Sequence, residues 1–183
     1  MITIRLNKNE IDFIKTLSKD AEIGGASNVY RDHDTRMNQL SEDQLFGQLG
    51  EAALHKYWYG HLLEYSRSRW YRNRVPYIGD NGHDLMPFNI DVKCSKIRNQ
   101  RLDFLGYNLI VRPNERHDGW VYVLALGELH DENSAFIHLM GWASDDMLPH
   151  HPEDTGIFSG AFVLPCKSLK ELMPLKTFWV MNS

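Results

Sequence analysis

Three charged residues at close spacing open the reading: Asp84, Asp91 and Lys93, within Gly82-His83-Asp84-Leu85-Met86-Pro87-Phe88-Asn89-Ile90-Asp91-Val92-Lys93-Cys94. Side chains on an extended segment alternate between two faces. Ile90, Val92 and Cys94 therefore share an apolar face, and Asp91, Lys93 and Ser95 share the other. The first set reads as core. The second places opposite charges and a hydroxyl side by side, which reads as a site. A hairpin folding back at Pro87 brings Asp84 beside Asp91. Two adjacent carboxylates repel each other unless a cation joins them, and hard oxygen ligands of this kind suit Mg²⁺ or Mn²⁺.

The arrangement Asp84-x6-Asp91-x-Lys93, with the second part on a strand, resembles the bipartite motif of the PD-(D/E)xK nuclease superfamily. That group includes restriction endonucleases, phage exonucleases and Holliday-junction resolvases. His83 stands where many members have proline. As an order of elements the resemblance spans roughly residues 41–143. It implies a restriction-endonuclease-like α/β (α+β) core, a central mixed sheet flanked by helices. It also implies a Mg²⁺-dependent deoxyribonuclease, with Mn²⁺ able to substitute. The resemblance implies that Asp84 and Asp91 would hold one or two metal ions, that the Val92 main-chain carbonyl could be an extra ligand, and that Glu51 on the preceding helix would complete or support the shell. Lys93 lowers the pKa of an attacking water or steadies the charge on the phosphate. Hydrolysing a phosphodiester needs both a nucleophile made from water and a counter-charge for the pentavalent centre.

Basic residues flank the motif on both sides. Arg67, Arg69, Arg72 and Arg74 lie in Ser66-Arg67-Ser68-Arg69-Trp70-Tyr71-Arg72-Asn73-Arg74, and Lys96, Arg98 and Arg101 follow the motif strand. They read as a phosphate-binding rim for DNA, with Trp70 and Tyr71 available for stacking. The first group reads equally well as positive charge protecting a strand edge from aggregation. The alternative function is a catalytically silent DNA-binding or regulatory protein on the same fold. A hydrolase of small phosphates is a third reading, supported by the carboxylate pair alone. A C₂ homodimer is a further expectation from the resembled families, many of which pair to cut both strands.

Composition bounds these readings. The chain has 183 residues, 43% apolar and 24% charged, which suits one soluble domain across residues 1–183, with 1–40 an N-terminal helix and loop extension. A net charge of −4 weighs slightly against simple coating of nucleic acid, and leaves room for a site with clustered cations. Cys94 and Cys166 lie far apart, with no paired ligand spacing, so a reduced, cytoplasmic setting is expected. The opening Met1-Ile2-Thr3-Ile4-Arg5-Leu6 is too short for a signal peptide's apolar region, and no run of about 18 apolar residues would span a membrane.

The positioning elements follow in order. Asn7 and Glu10 form a capping box for a helix with Ile11, Ile14 and Leu17 in its stripe, running to about Lys19 before Gly24-Gly25. Residues 26–40 read as loop, and His33 in it as solvated. Ser41-Glu42-Asp43-Gln44 reads as a second capping box, starting a helix with Leu45, Leu49, Ala52, Ala53 and Lys56 on its buried face. Glu51 lies off that stripe beside His55, and Gly47 and Gly50 allow close approach to a sheet. By itself Glu51 reads as a solvated helix residue, and with the downstream motif as a metal-linked or water-orienting carboxylate. His55 reads as a helix-face histidine paired with Glu51. Residues 61–65 and 70–75 read as extended, as do 107–111, 119–126 and 135–142, with turns at Pro76, 79–82 and 113–115. Gly119 to Leu126 is nearly all apolar, so it is expected to be buried on both faces. Ser144-Asp145-Asp146 caps a short helix, Pro149-His150-His151-Pro152 forms a loop, and strand-like Phe162–Leu164, a helical turn at 168–172 and Phe178–Val180 close the chain. His138 reads as a sheet histidine.

Overall fold

Ile2, Ile4 and Leu6 alternate with Thr3, Arg5 and Asn7, and that alternation forms a first strand, β1 (Ile2–Asn7), which the sequence reading does not anticipate. In the computed structural model, which describes residues 1–23, 37–67, 84–85, 88–97, 104–131, 133–153, 159–172 and 175, β1 leads directly into helix α1 (Lys8–Ile23). The expected cap is present in both directions. Asn7 N–H donates to Glu10 Oε2 at 2.8 Å, and Glu10 N–H donates to Asn7 Oδ1 at 3.1 Å. Ile11 and Ile14 are buried. The helix runs past Lys19 to Ile23, and Gly24-Gly25, like His33, lie outside the described residues.

Helix α2 (Met37–Tyr59) begins earlier than its apparent capping box. Ser41 is thus a helix-interior position and no N-cap, and residues 37–40 are helix where a loop is expected. From Gln48 to His55 every residue is buried. A helix buried all round needs no single apolar stripe, which is why Glu51, off the stripe, is interior nonetheless. At Gly50 an added Cβ would lie 2.6 Å from Cys94 Cβ, so glycine is what lets α2 close on the sheet. Gly47 has nothing within 4 Å of such an atom, so the same argument fails there. Lys56 ties three elements together, with its ammonium bonded to both Glu10 carboxylate oxygens and to the Arg5 carbonyl.

Among the described residues, four strands form one mixed sheet, ordered β1-β5-β4-β2. Here β2 is Ile90–Lys96, β4 is Val121–Asp131 and β5 is Ser134–Ser144. β1 with β5 and β5 with β4 are antiparallel, while β4 with β2 is parallel. β4 is buried on both faces from Val121 to Gly127, as its apolar run predicts. Val121, Val123 and Ala125 meet Ile90, Val92 and the two helices. Tyr122, Leu124 and Leu126 meet a second core beneath β3 (Asn108–Val111) and β6 (Phe162–Pro165), which pair antiparallel in a sheet of their own. The class is mixed α/β with a four-stranded mixed sheet between helices and a small second sheet.

Two local expectations give way. Residues 63–67 form a helical turn, not an extended run, and bury Tyr65 completely. The turn expected at 168–172 is a tighter 3-10 turn at Cys166–Ser168, after which Lys170 pairs with Trp142 of β5. Residues 70–75 and 178–180 lie outside the described residues. His138 sits on β5, hydrogen-bonded through Nδ1 to the Thr3 hydroxyl at 2.9 Å. No helix among the described residues is long and apolar enough to cross a membrane.

Candidate functional site

The site is built on β2, the last strand of the sheet among the described residues. β4 occupies one side of β2, so the main-chain groups of Ile90 and Val92 that point the other way need partners. The hairpin supplies them. Phe88 N–H donates to the Leu85 carbonyl at 2.8 Å, which turns the chain back. Asp84 N–H then donates to the Ile90 carbonyl at 2.8 Å, and Val92 N–H donates to Asp84 Oδ2 at 2.6 Å. Asp84 therefore continues the ladder by one residue, half with its backbone and half with its side chain. The Val92 carbonyl points to the same edge as its N–H. From α2, His55 Nε2–H donates to the Asp84 carbonyl at 2.7 Å. This fixes the aspartate from behind, where the sequence suggests only a helix-face histidine.

Strand alternation behaves as expected across β2. Ile90, Val92 and Cys94 pack toward α2, while Asp91 and Lys93 project to the other face. Asp91 is 5% exposed, as is Asp84, and the Asp84 side chain is among its near neighbours. Lys93 Nζ lies 2.9 Å from Asp91 Oδ2 and 3.1 Å from Glu115 Oε2. Burial pushes the Asp91 carboxyl up to about 6, against the pull of the Lys93 ammonium, and the Glu115 charge adds to the rise. Lys93 loses some of its basicity to burial, but the two carboxylates outweigh that and hold it above the ordinary lysine value. It is a fixed positive charge near neutral pH and cannot serve as a general base there.

Glu115 is the member of this cluster that the sequence reading missed. It closes a 3-10 turn (Pro113–Glu115) between β3 and β4. Glu115 Oε2 accepts from Arg112 N–H at 3.0 Å, and Glu115 N–H donates to the Arg112 carbonyl at 2.9 Å. Tyr122, the β4 partner of Asp91, pins the turn from below: its hydroxyl donates to the Glu115 carbonyl at 3.1 Å and accepts from His117 N–H at 2.8 Å. Proline at the first position of a turn with glutamate two residues on is a local signal for this geometry, although nothing local connects the turn to β2.

Glu51 lies one helical turn before His55 on α2 and acts on Cys94, whose thiol is pushed up to about 12 by burial and then by the Glu51 charge. It thus approaches β2 from the helix side, opposite Lys93. Lys96 shares that side by alternation, pairs with Glu42 of α2 and lies 5.8 Å from the Phe46 ring centroid. It faces away from Asp91 and Lys93. Arg67 is exposed and pairs with Glu64 at 2.7 Å. Arg69, Arg72, Arg74, Arg98 and Arg101 lie outside the described residues.

Among the described residues, no three His, Cys, Asp or Glu side chains converge closely enough to hold a metal ion by themselves. The Asp84 and Asp91 carboxyls and the Val92 carbonyl are nevertheless hard oxygen donors, the set that Mg²⁺ or Mn²⁺ takes alongside water and phosphate oxygens. The nearness of two buried carboxyl groups and the rise of Asp91 both mark a place that favours a proton or a cation. On donor chemistry the residues fit a divalent metal. Comparison with protein-family models, curated proteins and solved structures finds no match to this chain.

Proposed function

We propose that this chain is a metal-dependent nuclease that hydrolyses phosphodiester bonds in DNA, on a restriction-endonuclease-like fold. The observation that carries the reading is the nearness of the Asp84 and Asp91 side chains at the edge of β2 that Asp84 completes, with the Lys93 ammonium 2.9 Å from Asp91. Asp84 and Asp91 would hold Mg²⁺ or Mn²⁺ with the Val92 carbonyl, and Glu51 would support the shell from α2. A metal bound there supplies a Lewis acid and a more acidic water. Lys93 contributes a permanent positive charge for the phosphate, worth most where water is excluded. His55 keeps Asp84 in place through its backbone. The arginines at 67–74, 98 and 101 would provide the DNA contacts, while Lys96, turned to the helix side and paired with Glu42, would not.

A second reading, a silent DNA-binding or regulatory protein, has one observation in its favour. Lys93 already neutralises Asp91, and Asp84 already completes the edge of β2, so each acid has a structural task. Incubating the pure protein and its Asp91→Asn variant with plasmid and linear DNA separates the two. Cleavage by the parent in Mg²⁺ or Mn²⁺, weak turnover in Ca²⁺ and none with chelator supports the nuclease. Binding without cleavage under every condition supports the silent protein, and cleavage undiminished by excess chelator rejects the carboxylate-metal reading.

A further inference from the structure

We infer that Glu115 is a positioning residue for Lys93, a second anchorage that keeps the ammonium in the site when Asp91 turns to another cation. The inference rests on the nuclease reading for its consequence, but on geometry for its substance.

Lys93 Nζ stands between two carboxylates of different origin, Asp91 on its own strand at 2.9 Å and Glu115 on the β3–β4 turn at 3.1 Å. A lysine paired with Asp91 alone would be expelled by like-charge repulsion as soon as a divalent cation bound that carboxylate. Glu115 gives the ammonium a partner that the metal does not share. Its own carboxylate is not free to wander. Oε2 also accepts from Arg112 N–H, the main chain of the turn closes on Arg112, and the Tyr122 hydroxyl holds the Glu115 carbonyl from beneath. Tyr122 is completely buried and stands opposite Asp91 in the sheet. The strand acid and the turn acid are thereby held in register through one side chain, which is how a flexible lysine acquires a defined place.

Glu115→Gln tests this with little disturbance of the turn, since the amide oxygen still accepts from Arg112 N–H. The first measurement uses metal-free protein: the rate of Lys93 acetylation by acetic anhydride, read by mass spectrometry, with Lys56 as internal reference. Lys93 should react ~2- to 5-fold faster in the variant, the factor that a partly exposed ion pair is worth, while Lys56 is unchanged. Equal Lys93 rates in parent and variant overturn the inference. The second is a double-mutant cycle on Mg²⁺-supported DNA cleavage. Glu115→Gln should lower kcat by about tenfold with KM for DNA nearly unchanged, since it misplaces a transition-state charge without touching the ground-state binding surface. In a Lys93→Ala background the same change should have no further effect. An equal fall of kcat in both backgrounds means that Glu115 does not act through Lys93, and overturns the inference. If the parent cuts no DNA at all, the nuclease reading fails, and acetylation alone decides the placement of Lys93.

Discussion

Asp91→Asn replaces a buried carboxyl with a neutral group of the same shape, and so mimics the protonated acid permanently. The native Asp91 carboxyl is raised from 3.8 to about 6, first by burial, with Lys93 pulling against the rise. An acid raised in the folded state keeps its proton where the unfolded chain has already lost it. Folding stability therefore falls as pH climbs from about 4 to about 6, and above that range the ionised native form carries the full penalty. A rise of that size corresponds to ~3 kcal/mol. The asparagine variant carries no such penalty and still leaves Lys93 its pairing with Glu115. Parent and variant should thus be nearly equal in stability near pH 4, and the variant should be more stable by up to ~3 kcal/mol near pH 8. Urea unfolding at both pH values, in chelator, reads the difference directly. Added Mg²⁺ should then nearly cancel the difference. Binding to the folded parent contributes about 2.7 kcal/mol at a hundred times Kd, and the variant, without the charge that draws the cation, should gain far less. The reasoning is refuted if the variant's advantage does not grow with pH, or if Mg²⁺ stabilises the two proteins alike.

Lys93→Ala should lower Mg²⁺-supported cleavage by ~10²-fold or more, the usual loss for one electrostatic stabiliser of a transition state, while Mn²⁺ affinity by calorimetry holds or rises as a like charge leaves; parental cleavage rates would remove Lys93 from the mechanism. Gly50→Ala places a Cβ 2.6 Å from Cys94 Cβ and should destabilise by ~1–3 kcal/mol through overpacking. Gly47→Ala meets nothing within 4 Å and should stabilise by up to ~1 kcal/mol through helix propensity; thermal unfolding that moves both variants the same way contradicts this account of α2. Replacing Arg72 and Arg74 by alanine should weaken DNA binding and flatten its salt dependence, as fewer counterions are released, whereas an unchanged slope in a fluorescence titration returns these residues to edge protection.

What could be read along the chain was whatever a single element carries by itself. The two faces of β2 are an example: the period-two alternation of Ile90, Val92 and Cys94 against Asp91 and Lys93 needs no knowledge of the partners. The reciprocal cap of α1 and the two-sided burial of β4 are equally local. β1 also alternates, but six residues make a strand only when a distant edge accepts them, and that edge is β5, more than a hundred residues later. Glu51 shows the opposite failure. Helical periodicity sets it apart from the apolar stripe, yet α2 is packed on several sides at once and no position between Gln48 and His55 remains outside.

Lys93 draws these cases together. Its strand supplies the charge and one partner two residues away, and an expectation about its role follows from the strand alone. A second carboxylate, from the turn that follows β3, is brought to Lys93 with the Tyr122 hydroxyl bonded to its carbonyl. Desolvation lowers the basicity of this half-buried lysine, and each carboxylate raises it. With two, attraction prevails and the amine stays protonated near neutral pH. Glu115 thus adds to the hold of Asp91 on a fixed cation, and it can do so only once the turn is folded over the sheet.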